Sequence, residues 1–411
     1  MKNKIFLKLY FQVISFSIIT FLFAFSSFHY KGINSEKNKQ KITLRNDSIG
    51  RIYDPNIVTK KALRLDTFFN ELHQLNGFNG TVLVSQYGKI IYKKAFGLGD
   101  FENKDSLTTS TPFQLASVSK QFTAVAIIQL KEKGLLDYDQ SVKMFIPDFP
   151  YDSTITIRSL LTHRSGIPDY TYAFDKIANK KAPLSSQQVV EMFAKYKPKK
   201  YFNANQNYSY NNSNYVVLAN IVERITGLSF RKYAQKNLFE PCGMKNSFIY
   251  DPENPEQVAH AARGYNSAKS SKSYPFDFLD GAVGDKGVYS TVEDLYLWDM
   301  ALNSEKLVKL SSLENDAFQP AHTFKAPTTR NYGFGWRLQL LDDGSWLTYH
   351  TGWWHGFKNY YMHNRKDNSS IICLGNIANN SLSKIKIAQS ILYPEKAWYF
   401  MDGMNYTHQI E

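Results

Sequence analysis

One helix constrains this chain more than any other segment. Residues 117–133 open with serines and a lysine, are mainly apolar from Phe122 to Leu130 and end before Gly134, a residue type that commonly ends helices. The apolar side chains fall on several sides of the helix instead of forming one stripe. Such a helix must be surrounded by other elements, so we expect it in the core of a large domain.

The remaining chain is long enough to build that domain. The 411 residues are 43% apolar and 21% charged, which excludes disorder for most of the chain, and no internal repeat is present. Apolar density stays high from Leu63 to about Trp398 without a second linker. We therefore predict one domain over residues 63–398, followed by a C-terminal tail over residues 399–411.

The order of the predicted elements indicates an α+β fold. A helix over residues 65–75 precedes two strands (81–84 and 89–95) joined by a hairpin turn. A second buried helix covers residues 213–225, with Asn212 or Ser213 as its cap, and three short strands are expected at 345–349, 357–363 and 370–375. The fold expected is an antiparallel sheet shared by the N- and C-terminal segments, flanked by helices and carrying an inserted, mainly helical subdomain.

Most of the net charge lies in front of the domain. Of the total of +13, residues 1–64 carry +9, which leaves 13 − 9 = +4 for the rest of the chain. The folded domain thus has no concentrated basic face, and we expect no nucleic-acid partner.

The first residues have the layout of an export signal. Lys2, Lys4 and Lys8 precede an uncharged stretch over residues 9–28, which is also long enough to cross a bilayer. Residues 1–30 are predicted to be a signal peptide or an N-terminal membrane anchor, and both alternatives stay open. Residues 31–62 are predicted to be a polar, basic linker. We expect an exported protein, periplasmic or in the cell envelope.

Two cysteines, Cys242 and Cys373, are too few for a disulfide scaffold. Neither is part of a CxxC pair, so the sequence indicates no zinc knuckle and no thioredoxin-like chemistry. Whether they pair with each other is not decided by their spacing.

The candidate for nucleophilic catalysis is the segment Ser117-Val118-Ser119-Lys120. A lysine three residues after a helical serine lies one turn along the same face, and a lysine in a dry pocket can accept the serine proton. Ser229/Lys232 and Ser381/Lys384, which also have SxxK spacing, are better explained as a helix cap or surface positions. Spacing alone leaves a plain capping serine at 117 as an alternative.

A longer series of segments carries a resemblance. Residues 113–123 (FQLASVSKQFT) resemble the nucleophile segment of the serine β-lactamase and penicillin-binding-protein superfamily, nearest its class C-like branch. Further segments agree in the same order, and together they cover about residues 65–395: LLTHRSGIP (160–168), YNNSNY (210–215), FEPCGM (239–244), YGFGW (332–336) and HTG (350–352).

The resemblance implies roles for single residues. Ser117 matches the acylated nucleophile, Lys120 its activating partner and Tyr210 the tyrosine that moves a proton to the leaving group. That role requires a cation near the phenol, either to lower the tyrosine pKa or to share its proton. Asn212 matches the asparagine that binds the substrate amide, and Tyr201 is a weaker rival to Tyr210.

His350-Thr351-Gly352 takes the place of a Lys-Thr-Gly strand. We expect an edge strand on which Gly352 lets substrate approach the backbone, and an oxyanion hole formed by the N–H groups of Ser117 and Trp353. Because histidine is mostly neutral at pH 7, His350 should hold a substrate carboxylate less firmly than lysine, which leaves room for esters and other amides.

The remaining candidates have plainer explanations. His163, Arg164 and the Asp285-Lys286-Gly287 segment are expected to be structural. Trp353 and Trp354 either pack or line an acyl or sugar pocket.

The working hypothesis is an exported serine hydrolase that forms an acyl-enzyme with a small-molecule or peptide substrate carrying an ester, amide or lactam carbonyl. It needs no metal and no organic cofactor. Two alternatives are a catalytically silent, membrane-tethered penicillin-binding-protein-like binding protein and a basic adaptor that acts through residues 31–64.

Overall fold

The computed structural model describes residues 54–270, 272–321, 329–341 and 344–394. The predicted leader (residues 1–30), the tail (residues 399–411) and residues 31–53 of the predicted linker lie outside the described residues. Among the described helices, none combines the length and the apolar character needed to span a membrane.

Twelve strands are present in the described residues. In chain order they are β1 (Gly80–Gln86), β2 (Lys89–Phe96), β3 (Leu98–Asp100), β4 (Asp105–Ser106), β5 (Phe113–Gln114), β6 (Phe248–Ile249), β7 (Val288–Ser290), β8 (Arg330–Tyr332), β9 (Arg337–Leu340), β10 (Trp346–Trp354), β11 (Phe357–Asn364) and β12 (Ser369–Gly375).

Seven of these strands form the main sheet, in the order β2-β1-β12-β11-β10-β9-β8. All neighbours in it are antiparallel, and Gly80 of β1 pairs with Gly375 of β12. The predicted sharing of one sheet by both ends of the domain is therefore confirmed. The predicted hairpin is also present: Tyr87 and Gly88 both have positive φ, as a two-residue hairpin turn requires.

The helices lie mainly between β5 and β8, which confirms the predicted helical middle. They are α1 (Pro55–Asn76), α2 (Lys120–Glu132), α3 (Ile157–Leu161), α4 (Tyr170–Ala173), α5 (Ser186–Tyr196), α6 (Asn212–Thr226), α7 (Phe230–Ala234), α8 (Glu240–Cys242), α9 (Val292–Asn303), α10 (Leu310–Ser312) and α11 (Lys386–Leu392). Short 3-10 turns cover Ala116–Ser119, Val142–Met144, Pro255–Val258 and Ser381–Lys384, and π-helical turns cover Gln235–Phe239 and Leu313–Ala317.

Two apolar layers enclose the sheet. Alternate residues of β12 point to opposite faces, so that Ile371 belongs to the cluster with α1 and α11, whereas Ile372 belongs to the larger cluster with α2, α6 and α9. Every residue of α2 from Lys120 to Leu130 is buried, as its apolar sequence predicts. The fold is thus an antiparallel sheet flanked by helices.

Two details differ from expectation or settle an open question. Helix α1 begins at Pro55, so residues 55–62 are helical although the sequence analysis assigned them to the linker. Cys242 and Cys373 are both free and buried in clusters on opposite faces of the sheet, and therefore they do not pair.

Candidate active site

The segment before α2 presents Ser117 at the edge of the core. Leu115 bonds the carbonyl of Val288 in β7 through its N–H (2.8 Å), and Ala116 has a φ of +50°, which is unusual for a residue with a side chain. Ser117 follows within a short 3-10 turn and is partly exposed, whereas Lys120 at the start of α2 is fully buried. The burial expected for this lysine is therefore observed.

Lys120 Nζ makes three polar contacts. It lies 3.1 Å from Ser117 Oγ, 2.8 Å from Asn212 Oδ1 and 2.9 Å from the backbone oxygen of Asp285. The last two atoms can only accept hydrogen bonds. When the amine is neutral, its two N–H groups are taken by Asn212 and Asp285, and its lone pair is left for the Ser117 hydroxyl proton.

Burial also prepares Lys120 for this role. Desolvation lowers the pKa of Lys120 to about 8, although attraction by Asp285 and Asp169 acts in the opposite direction. Arg337 repels the ammonium and lowers the pKa further. A lysine with this pKa is partly neutral near physiological pH, as a base requires.

Tyr210 lies beside this pair. Its ring centre is 4.9 Å from Lys120 Nζ and 5.1 Å from Arg337 Cζ, so the cation required near the phenol is present twice. Burial nevertheless raises the pKa of Tyr210, and Arg337 and the Ser117 hydroxyl offset only part of that effect. The resting phenol is therefore protonated. Of the two routes stated above, this direction favours proton sharing with lysine over a lowered tyrosine pKa.

The Tyr210 hydroxyl oxygen is buried and near enough to the Ser117 hydroxyl to feel it, but it has no partner at hydrogen-bond geometry among the described residues. A buried phenol without a partner costs free energy, about 1–3 kcal/mol in typical proteins. The hydroxyl is therefore available to a substrate atom next to Ser117. Tyr201, the rival tyrosine, is 59% exposed, and its backbone N–H bonds the carbonyl of Gly166.

The start of α6 places Asn212. The cap of this helix is Asn211, one residue earlier than expected, because its side chain accepts the N–H of Ser213 (2.8 Å) and donates to the carbonyl of Ile167. Asn212 is thereby free of the capping role. Its backbone N–H bonds Asp169 Oδ2 (2.7 Å), and its side-chain oxygen reaches Lys120.

The HTG segment lies in the second half of β10, a strand longer than the predicted 345–349. β10 is an interior strand of the sheet, so the edge-strand prediction is wrong for the strand as a whole. β9 is only four residues long, and its pairing with β10 ends at Tyr349. Within the described part of the sheet, residues from His350 onward pair with β11 alone.

Gly352 makes a close backbone contact that the sequence did not predict. A Cβ atom at this position would lie 2.2 Å from the carbonyl oxygen of Leu115 and 3.2 Å from the Ala116 side chain. The absence of a side chain at Gly352 thus lets the backbone of the nucleophile segment pack directly against β10. Asn359 of β11, opposite Gly352, holds the same segment by donating to the Gln114 carbonyl (2.8 Å).

His350 is fully buried and neutral. Its Nδ1 lies 2.7 Å from the Thr351 carbonyl, which can only accept, so Nδ1 carries the proton and Nε2 accepts from the Tyr332 hydroxyl (3.1 Å). Burial, Arg337 and Lys120 hold the pKa of His350 well below its ordinary value. Burial therefore favours the neutral state expected for His350, and both ring nitrogens already have hydrogen-bond partners.

Thr351 and Trp353 follow on the more exposed side of the strand. Thr351 is half-buried, whereas Trp353 is 70% exposed with Lys358 Nζ 5.1 Å from its ring centre. Trp354 is turned inward, and its Nε1 donates to Asp280 Oδ1 (2.7 Å). Trp354 thus packs, while Trp353 is exposed to solvent.

Arg337 and Asp169 are not predicted from the sequence, and Asp285 and Lys286 are predicted only to be structural. Arg337 directly follows the YGFGW segment, and a charge at that point in an apolar strand was the available signal. His163 meets the structural expectation: its Nδ1 accepts the Asn211 N–H (3.1 Å), and its ring lies 4.3 Å from that of Tyr210.

The other SxxK serines do not share this environment. Ser229 caps α7 by accepting the Lys232 N–H, as predicted. Ser381 is buried, not at the surface, and it begins a 3-10 turn whose Lys384 contacts Asn76 on the protein surface.

A second group of hydrolase-type side chains is structural. Ser370, His363 and Asp299 are hydrogen-bonded to one another in the core and tie α9 to the sheet. Ser370 is fully buried and donates directly to the carboxylate of Asp299, so it cannot meet a substrate.

Among the described residues, one group could hold a metal ion, namely Asp277, Asp280 and His355. The oxygens of Asp280 already accept hydrogen bonds from Trp354, from the Asp277 N–H (2.6 Å) and at His355 Nε2 (3.2 Å). These contacts join the segment of Asp277 and Asp280 to the turn after β10. They account for the arrangement of the three side chains without a metal ion.

Comparison with known proteins agrees with this geometry. The family model described as Beta-lactamase matches residues 65–392. Penicillin-binding protein 4* of Bacillus subtilis (strain 168) is 34% identical over 347 residues, which cover 81% of this chain and 76% of that protein.

Solved structures are similar as well. The octameric penicillin-binding protein homologue from Pyrococcus abyssi superposes with a TM-score of 0.69 at 26% identity, covering 80% of this chain and 76% of that one. A class C β-lactamase shares the fold, with a TM-score of 0.68 at 20% identity over 83% of this chain and 99% of that one. The chain belongs to the β-lactamase family.

Proposed function

We propose that the protein is an exported serine hydrolase that forms an acyl-enzyme at Ser117. The observation that supports this most is the set of contacts around Lys120: a buried amine with a lowered pKa, two partners that can only accept, and the Ser117 hydroxyl as the third. In this arrangement the neutral amine is aimed at the serine proton.

In the first step Lys120 takes the Ser117 proton, and Oγ forms a bond to the substrate carbonyl carbon. The carbonyl oxygen becomes an oxyanion, which the backbone N–H groups of Ser117 and Trp353 are proposed to hold. The contact of Gly352 with Leu115 supports this pairing, because it brings the backbone of β10 against the nucleophile segment.

In the second step the leaving group departs with a proton from the Tyr210 hydroxyl. The raised pKa of this phenol suits a proton donor, and the Lys120 ammonium restores the proton afterwards. Water then attacks the acyl-enzyme with Lys120 again as base, and Ser117 is regenerated. Every step uses protein groups, so no metal or organic cofactor takes part.

The positive charge of Arg337 favours substrates that carry a carboxylate near the scissile carbonyl. His350 brings no charge, whereas the guanidinium of Arg337 lies against Tyr210. The sequence alone left room for esters and other amides because lysine is absent from the HTG strand. The cation on β9 supports β-lactams and D-amino-acid peptides as candidates, in keeping with a relative named as a penicillin-binding protein.

The alternative is a catalytically silent binding protein that is acylated or occupied without turnover. Export, with the leader over residues 9–28 either cleaved or retained as an anchor, is part of the same proposal. Fractionation of cells with detection of a C-terminal tag, together with the mass of the mature protein, tests it. Unprocessed protein in the cytosol would contradict it.

The deciding experiment labels the full-length protein with a fluorophosphonate probe. We expect one adduct, mapped to Ser117 by peptide mass and absent from Ser117→Ala. Ser229→Ala is the matched control, because it removes the serine of another SxxK pair, and it should label like the wild type. A folded wild-type protein without an adduct would reject the hydrolase and favour the silent binding protein.

A further inference from the structure

A buried charged group lies directly behind Lys120. Lys286 Nζ is 2.6 Å from the Tyr170 hydroxyl, which in turn donates to Asp285 Oδ2 (3.1 Å). Lys286 and Asp285 also form an ion pair at 3.5 Å, and the three side chains are nearly or completely buried. We call these three residues the Lys286 network.

We propose that the Lys286 network positions Lys120. It holds the Asp285 carbonyl against the Lys120 amine and balances the charge of the Asp285 carboxylate. The network thereby sets the pH at which the amine can take the Ser117 proton. This inference rests on the proposed hydrolase function and adds a residue set that the sequence analysis assigned to structure alone.

Asp285 serves both sides of this arrangement. Its backbone oxygen accepts from Lys120 Nζ (2.9 Å), whereas its carboxylate is turned toward Tyr170 and Lys286. The neighbouring Gly284 carbonyl accepts from Thr123 of α2 (2.7 Å), so the loop is attached to the helix of Lys120 at two adjacent carbonyls. A change in the carboxylate pairing is thus transmitted to the base by a single residue.

The position of Lys286 is fixed from several directions. Its Nζ lies 4.9 Å from the ring centre of Trp354 and 5.3 Å from that of Tyr170. The Tyr170 backbone N–H bonds Ser213 Oγ (2.7 Å) in the first turn of α6, the helix that also carries Asn212. The network therefore connects three segments that contact the active site.

The charges around Lys120 show why balance matters. Asp285 and Asp169 stabilise the ammonium and raise its pKa, whereas Arg337 on β9 lowers it. The other titratable groups facing Lys120 are neutral at rest: His350 on β10, and the phenols of Tyr210 and Tyr215. Without Lys286, the Asp285 carboxylate would lose its ion-pair partner, and its attraction for the Lys120 ammonium would be opposed by Arg337 alone.

The test is the pH dependence of fluorophosphonate labelling at Ser117 in the full-length protein. We expect Lys286→Gln to move the midpoint of the rising limb to higher pH by about half a unit or more, because the unbalanced carboxylate favours the ammonium. Asp285→Asn should move the midpoint in the opposite direction. Opposite shifts from two neighbouring residues are not expected of a packing defect, which lowers the rate at every pH.

Lys131→Gln is the matched control, since Lys131 forms an ion pair with Asp137 at the far end of the same helix. It should leave the midpoint unchanged. If Lys286→Gln does not fold, Asp285→Asn alone decides. Wild-type midpoints in folded Lys286→Gln and Asp285→Asn would overturn the inference but leave the hydrolase proposal intact. Failure of the wild type to label at any pH would overturn both.

Discussion

Gly352 lies so close to Leu115 that a Cβ atom on the glycine would be 2.2 Å from the leucine carbonyl oxygen. This contact joins the strand of the HTG segment to the segment that presents Ser117. Because backbone approaches backbone here, neither side can relax by rotating a side chain. The distance between the two halves of the site thus depends on a missing methyl group.

Gly352→Ala is therefore expected to impair labelling of Ser117 strongly while the protein still folds. Overpacking of this kind typically costs about 1–3 kcal/mol of stability, and it moves Ser117 relative to Trp353. Labelling rate and thermal unfolding should be measured together. Gly99→Ala is the control, because its backbone is not left-handed and a Cβ atom there would come close only to the end of the Leu107 side chain (3.1 Å). Normal labelling of Gly352→Ala would refute the role given to this contact.

Replacing Lys120 separates its function as a base from its charge. Lys120→Arg keeps a cation but cannot supply a neutral amine, because the guanidinium stays protonated in proteins. We expect labelling of both Lys120→Arg and Lys120→Met to fall by roughly 100- to 10,000-fold, the usual contribution of a general base. If Lys120→Arg labels as fast as the wild type, the residue acts by charge alone.

The same assignment predicts the wild-type pH profile. Neutral Lys120 is the active form, and burial lowers its pKa to about 8. The labelling rate should therefore rise with pH, reach half of its plateau near pH 8 and fall about tenfold per unit at lower pH. His350 adds no second limb near neutral pH, because its pKa is held well below the ordinary value. A profile that is flat from pH 6 to 9 would contradict this.

The sequence predicts the fold better than the electrostatics of the site. Short apolar runs next to turn residues predict β1 and β12, and the predicted sharing of one sheet is confirmed by the pairing of Gly80 with Gly375. The burial of Lys120 also follows from local sequence, because the helix around it is apolar on several sides.

The misses have a common physical cause. Arg337 comes near the HTG segment because it is the first residue of β9 and pairs with Tyr349 of β10, which is a property of strand pairing. Likewise, the side chains of Asp285 and Lys286 are hydrogen-bonded to Tyr170, which lies more than a hundred residues earlier in the chain. Neither contact can be predicted from the local sequence, because each joins residues that are far apart in the chain and meet only in the folded protein.

Arg337 gives the last prediction, which concerns substrate choice. If its guanidinium attracts the substrate carboxylate, Arg337→Met should slow acylation by a penicillin with a free carboxylate by about tenfold or more, corresponding to about 1.4 kcal/mol. The methyl ester of the same penicillin should be affected far less, because it carries no negative charge. Comparing the two rates in one variant cancels general damage to the site. Arg337→Lys should recover part of the preference, since it restores charge without the planar fork. Equal losses for acid and ester would assign Arg337 to positioning Tyr210, over whose ring it lies, and would return neutral esters to the front as substrates.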